Sequence, residues 1–120
     1  MEYVYPAIFR KDKEMTDTWS VEFPDVEGAI TCGYSLYEAM ALAADALAGI
    51  LTCYEDCRAG RSQRPMTNRI AEPTPIEEVI AEPDAFSTIA FATLVKVDTD
   101  DYRKKLAAMR KGEPPAAATA

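Results

Sequence analysis

Three cysteines are the only soft metal ligands in this chain. Two of them, Cys53 and Cys57, stand four residues apart, the spacing that puts both thiols on one side of a helix. A structural zinc site wants four ligands, and beyond these two only Cys32 remains, with no histidine anywhere to complete a set. The preferred reading is three buried free thiols and no metal. The lack of histidine also removes the usual general base, and with it every Ser-His-Asp or Cys-His arrangement. Carboxylates occur in pairs, Glu22 with Asp25 and Glu77 with Glu78, but without a defined cleft such a pair is a solvated surface by default. Basic residues gather at Arg58, Arg61, Arg64 and Arg69, and again at Arg103, Lys104, Lys105, Arg110 and Lys111. Neither group carries the aromatic interleaving of a nucleic-acid module, and no glycine-rich phosphate loop is present. The chemistry expected of this chain is therefore recognition, with no metal and no cofactor.

A length of 120 residues leaves room for one domain. Thirteen Lys and Arg against 20 Asp and Glu leave a net charge of −7, which disfavours nonspecific nucleic-acid binding by the whole surface and suits a basic partner. The charge comes in blocks: Arg58 to Arg69 holds four arginines and no acid, and Ile70 to Phe86 five acids and no base. The odd cysteine count and an N-terminus without a basic-then-apolar run point to a reducing cytoplasm. No apolar stretch is expected to span a membrane, because Glu38 and Asp45 interrupt the best candidate.

Several elements can be assigned from the pattern. Tyr3 to Phe9 is aromatic and β-branched, a strand in which Pro6 takes a bulge or an unpaired position. After a polar connection from Lys11 to Asp17, Trp19, Val21 and Phe23 alternate with Thr18, Ser20 and Glu22, as in a strand with one buried face. Pro24 to Gly28 reads as a tight turn leading to a third strand, Ala29 to Gly33. Ser35 three residues before Glu38 has the form of a capping box. The helix it opens carries Leu36, Met40, Ala43, Leu47, Ile50, Tyr54 and Cys57 on one stripe, expected to face the sheet, with Gly60 as its C-terminal cap. Arg58 to Pro75 is aperiodic and reads as a surface connection, with one short helical turn beginning at Pro75. Ser87 to Val97 is a strand apolar on both faces, expected to be covered on both sides or to lie in an interface. A second amphipathic helix runs from Thr99 to near Gly112 with Tyr102, Leu106 and Met109 on one side.

The order of these elements, with Tyr5-Pro6-Ala7-Ile8-Phe9, Trp19-Ser20-Val21-Glu22-Phe23-Pro24-Asp25, Gly28 and Ser35-Leu36-x-Glu38-Ala39, resembles the HicB-like antitoxins. The Pro-rich stretch around Glu72 to Glu78 and the ending Asp98-Thr99-Asp100-Asp101-Tyr102-Arg103-Lys104-Lys105 are similar to that family as well. The resemblance implies an α+β fold, a β-β-β-α-β partial ribonuclease-H-like domain over residues 1–98 without nuclease activity. It further implies neutralisation of a HicA-type toxin, a small basic mRNA interferase, by direct contact. Longer members continue into a DNA-binding module. Here 22 residues follow Asp98 and are expected to form only a short helix and tail (99–120).

The candidate partner contacts are Glu22, Asp25 and Glu27, on the hairpin edge and the turn. The two-sided strand and the helix after it predict a homodimer through Phe91, Leu94, Val95, Tyr102, Leu106 and Met109. An alternative function is a nucleic-acid-binding transcriptional regulator that uses Arg103, Lys104 and Lys105 of the basic helix.

Overall fold

The structure, a computed structural model, describes residues 1–61 and 70–111. It is an α+β fold in the expected order: β1 (Glu2–Asp12), β2 (Trp19–Glu22), β3 (Ile30–Gly33), α1 (Leu36–Arg58), β4 (Ser87–Asp98) and α2 (Thr99–Arg110). A 3-10 turn, Ile76–Glu78, lies between α1 and β4. The sheet is antiparallel throughout, in the order β3-β2-β1-β4, so β1 is central and β3 and β4 are its edges.

The long β1–β4 ladder pairs Glu2 with Asp98 through Lys11 with Ile89, whereas β2 pairs only with Ile8 to Lys11 of β1. Pro6, opposite Leu94, therefore lies beyond the reach of β2, where one side of β1 has no neighbouring strand and a missing N–H costs little. The expected turn after Phe23 is present, and Gly28 takes a φ of +92°, a conformation that residues with a Cβ rarely adopt.

Helix α1 opens as the sequence indicates. The Ser35 hydroxyl accepts from the Glu38 N–H at 3.0 Å, and the Glu38 carboxylate reaches back to the Tyr34 N–H. It closes with the Gly60 N–H on the Cys57 carbonyl and the Arg61 N–H on the Asp56 carbonyl, the paired bonds of a Schellman motif.

The face α1 presents differs from the expected stripe. Ala39, Ala43, Leu47, Leu51 and Tyr54 are buried, whereas Met40 is 52% exposed and Cys57 only half-buried. Close approach explains the rotation. A Cβ on Gly33 would lie 2.5 Å from the Ala39 backbone nitrogen, so strand and helix backbones nearly touch there and only small side chains fit between them. The thiols also differ from expectation: Cys32 and Cys53 are exposed, because Cys32 sits on the outward side of β3 and Cys53 on the outward side of α1. In length and composition α1 is also apolar enough to cross a membrane, contrary to the sequence reading. A third of its most apolar stretch is buried, where α1 packs against Tyr5, Phe9, Val21 and Val97.

Two layers flank the sheet. On the inner face α1 buries Tyr5, Ala7, Phe9 and Val21. Pro6 and Ile8, on the outer face, are also buried, and the connection from Ile70 to Phe86 straps the sheet from Tyr5 on the inner face to Arg10 on the outer. Its bonds are long-range: the Tyr5 hydroxyl donates to the Ala71 carbonyl, Arg10 Nε to the Glu82 carbonyl at 3.0 Å, and the Lys13 N–H to the Phe86 carbonyl at 2.8 Å. The arginines at 64 and 69 and the expected helix end at Gly112 lie outside the described residues.

The contact at Gly33 sets the first prediction. Gly33→Ala forces a methyl into the Ala39 backbone and is expected to destabilise the fold by about 2 kcal/mol or more, read as a lower urea midpoint with unchanged m-value. A loss under about 0.5 kcal/mol contradicts the close approach.

Candidate partner-binding surface

The three acids singled out at the hairpin and turn have different duties. Glu22, paired with Ile8 in the sheet, forms an ion pair with Arg10 Nη1 at 2.5 Å. Asp25 uses both carboxylate oxygens inside the molecule, accepting from the Thr74 N–H at 2.9 Å and from its hydroxyl at 2.5 Å. That bidentate contact fastens the strap to the β2–β3 turn. Glu27 is exposed, and its carbonyl accepts from the Tyr54 hydroxyl at 2.7 Å, which ties the same turn to α1. The carboxylates of Glu22 and Asp25 thus have partners within the chain.

The strap carries the acids that do not. Glu72, Glu77, Glu78 and Glu82 are exposed, and none of them makes an ion pair among the described residues. Ile80 is exposed beside them, and Leu94 is 51% exposed on the outer face of the sheet. Asp84 holds the strap's exit turn, accepting from the Phe86 N–H and the Ser87 hydroxyl at 2.9 Å each. Those bonds, the Phe86 N–H first, keep its carboxyl below the ordinary value. Periodicity could not find this surface, because the strap has no regular structure beyond one turn.

The basic helix is engaged inward. Arg103 meets Glu55 at 3.1 Å and Asp56 at 2.9 Å, and Lys105 meets Asp45 at 3.1 Å, so two bases of the Arg103-Lys104-Lys105 run neutralise acids of α1. Glu55 is a junction of three elements: Tyr3 of β1, Thr99 at the start of α2 and Arg103 all donate to it. Burial pushes the Glu55 carboxyl up, but the hydrogen bonds from Tyr3, Arg103 and Thr99 outweigh it and hold it below the ordinary value. The Arg103 hydrogen bond, the largest influence, also holds Asp56 down. Burial, helped by the bond to Glu55, pushes the Tyr3 phenol up to about 12. Between α1, α2 and the end of β4 lies an open cleft of about 550 Å³, apolar at Ala44, Ala48 and Val97 and ringed by acids and lysines of both helices.

The six residues expected at an oligomer interface do not share one exposed surface. Phe91 stacks on Phe9 with ring centroids 5.1 Å apart and meets the edge of Trp19 at 5.6 Å. Val95 and Tyr102 pack against the core of their own chain, and Leu106 is half-buried. Leu94 and Met109 are exposed, Leu94 on the outer face of the sheet and Met109 in the last turn of α2. Strand β4 is covered by α1 along part of its inner face and lies at the sheet edge, so it is not enclosed on both sides by its own chain.

The three-strand meander, the single long helix and the returning strand form the α+β fold expected from the sequence. The chain belongs to the HicB-like antitoxin family of bacterial toxin–antitoxin systems, whose family model matches residues 5–110. Among curated proteins none matches the sequence. A solved structure of a toxin–antitoxin complex from Streptococcus pneumoniae contains a chain with the same fold. It is 24% identical with a TM-score of 0.58, over 85% of this chain and 73% of that one.

The Glu55 junction predicts an acid dependence. Because the folded values of Glu55 and Asp56 are depressed, their contribution to stability is fully present above the unfolded-chain values of about 4.3 and 3.9. It is lost as pH falls through the lower folded values. Arg103→Gln removes the main cation, so the variant is expected to lose less stability than the parent between about pH 5 and pH 2.5, followed by urea unfolding. Parallel pH profiles for the two proteins contradict the assignment.

Proposed function

We propose that this antitoxin-family protein neutralises a small, basic, RNA-cleaving toxin of the HicA type by covering its active surface, and that it catalyses no reaction itself. The observation that carries the reading is the family match over residues 5–110. The acid surplus of the chain, −7 overall, supports it: a basic partner is drawn in faster and in a preferred orientation. The strap adds local support, since four exposed glutamates, without an ion pair among the described residues, share it with exposed Ile76 and Ile80, the mixture expected of a recognition surface with a polar rim. Glu22, Asp25 and Glu27 lie close enough to the strap, through the Asp25–Thr74 bond, to extend that surface. The absence of histidine from the sequence supports a binding role over acid–base catalysis. Three cysteines outside any disulfide suit a reducing cytoplasm, and a homodimer is the working unit in this reading.

Regulation of transcription through the basic helix is the weaker reading, because Arg103 and Lys105 are already paired within the chain.

Coexpression with a HicA-type toxin encoded beside it is expected to restore growth, and unrelieved toxicity contradicts the proposal. With purified proteins, the association rate is expected to fall at least about tenfold between low and high salt. Charge reversal at Glu77 and Glu78, whose side chains make no hydrogen bond or ion pair among the described residues, is expected to slow association without lowering the unfolding midpoint. An association rate that ignores both salt and these substitutions removes the electrostatic part of the account.

A further inference from the structure

The outermost strand has an edge that its own chain leaves open. β4 spans twelve residues at the end of the sheet, with β1 on one side and, among the described residues, no strand on the other. Edge strands of soluble proteins are usually shortened, charged, kinked by proline or covered, because a row of free N–H and C=O groups recruits another strand. The opposite edge, β3, follows the first of those devices, at four residues long. β4 follows none of them over most of its length: from Ser87 to Val95 there is no charged residue and no proline, and the first charge is Lys96. α2 turns away at Thr99 to pack on α1, and the strap approaches β4 through its 3-10 turn, Ile76–Glu78, and again at the Asp84–Ser87 bond, without adding a strand to the edge among the described residues.

We infer that the free edge of β4 pairs antiparallel with β4 of a second copy, joining two four-stranded sheets into one continuous sheet. The inference rests on the homodimer of the preceding section and is independent of the toxin. Charge selects the occupant. A basic partner gains nothing from nine uncharged residues, whereas two copies of a chain with net charge −7 can meet closely only along a surface that carries no charge. The length of the neutral run selects the register. Its midpoint is Phe91, and a two-fold axis there pairs the whole run with itself: Ser87 faces Val95, Ile89 faces Thr93 and Phe91 faces its counterpart, with both Lys96 residues outside. Ile89, 50% exposed on the single chain, becomes a cross-strand neighbour, and the Trp19–Phe91–Phe9 aromatic group continues across the axis. The interface is isologous, as a closed dimer requires.

Salt separates this contact from toxin binding. Screening weakens attraction between an acidic antitoxin and a basic toxin but relieves repulsion between two acidic copies, so the dimer is expected to tighten between about 50 and about 500 mM salt. Sedimentation of the full chain is expected to show a dimer at about 10 μM. Ile89→Lys and Leu94→Lys change exposed side chains and place a charge in the run. Each is expected to weaken the dimer at least about 100-fold and leave a folded monomer with a cooperative melt. Ile30→Lys on the β3 edge is the control and is expected to leave the dimer intact. A wild-type chain that stays monomeric at about 100 μM overturns the inference. So does a dimer indifferent to both lysines, or one lost equally in the control. If Ile89→Lys abolishes toxin binding while the wild-type chain is monomeric, the edge belongs to the toxin and the inference is equally overturned. Loss of toxin neutralisation with the dimer intact counts against the proposed function alone.

Discussion

A four-stranded sheet has two faces and two edges to keep from unwanted contact, and this chain has one long helix with which to do it. The organisation of the protein follows from that constraint. α1 takes the inner face and can lie close because Gly33 and Ala39 let strand and helix backbones nearly touch. The outer face falls to an irregular strap, which can bury Pro6 and Ile8 only because single long-range bonds hold it down: Asp25 to Thr74, Arg10 to Glu82, Tyr5 to Ala71. The β3 edge is short. The β4 edge is long and neutral, and the described chain offers nothing to pair with it.

Charge is sorted by the same architecture. Two bases of α2, Arg103 and Lys105, pair with Glu55, Asp56 and Asp45 of α1, while Lys104 and Arg110 are exposed, and Glu55 joins β1, α1 and α2 at one carboxylate. Four glutamates of the strap, Glu72, Glu77, Glu78 and Glu82, are exposed and make no ion pair among the described residues, and Ile80 of the same segment is exposed.

Much of the fold could be read from the sequence because local rules decide it. The alternation of Trp19, Val21 and Phe23, the Ser35–Glu38 cap and the Gly28 turn each depend on neighbours a few residues away, and each stands in the structure as expected. The helix face could not be read the same way. Hydrophobicity favours Met40 over Ala39, but the inner position goes to the smaller residue, because the packing distance at Gly33 admits nothing larger. The strap was opaque for another reason: its anchors join residues 49 and 72 positions apart and leave no periodic trace. Phe91, Val95 and Tyr102 drew attention as apolar residues in search of cover, and their own chain supplies much of it.

As proposed, this family member works by direct, stoichiometric contact with a toxin. Titrating the purified chain into a purified HicA-type toxin while following cleavage of an RNA substrate tests it most directly. The account predicts that cleavage falls linearly and stops when the two proteins are present in equal numbers of chains, with no toxin consumed. Cleavage that persists at a large excess of the antitoxin-family chain contradicts it.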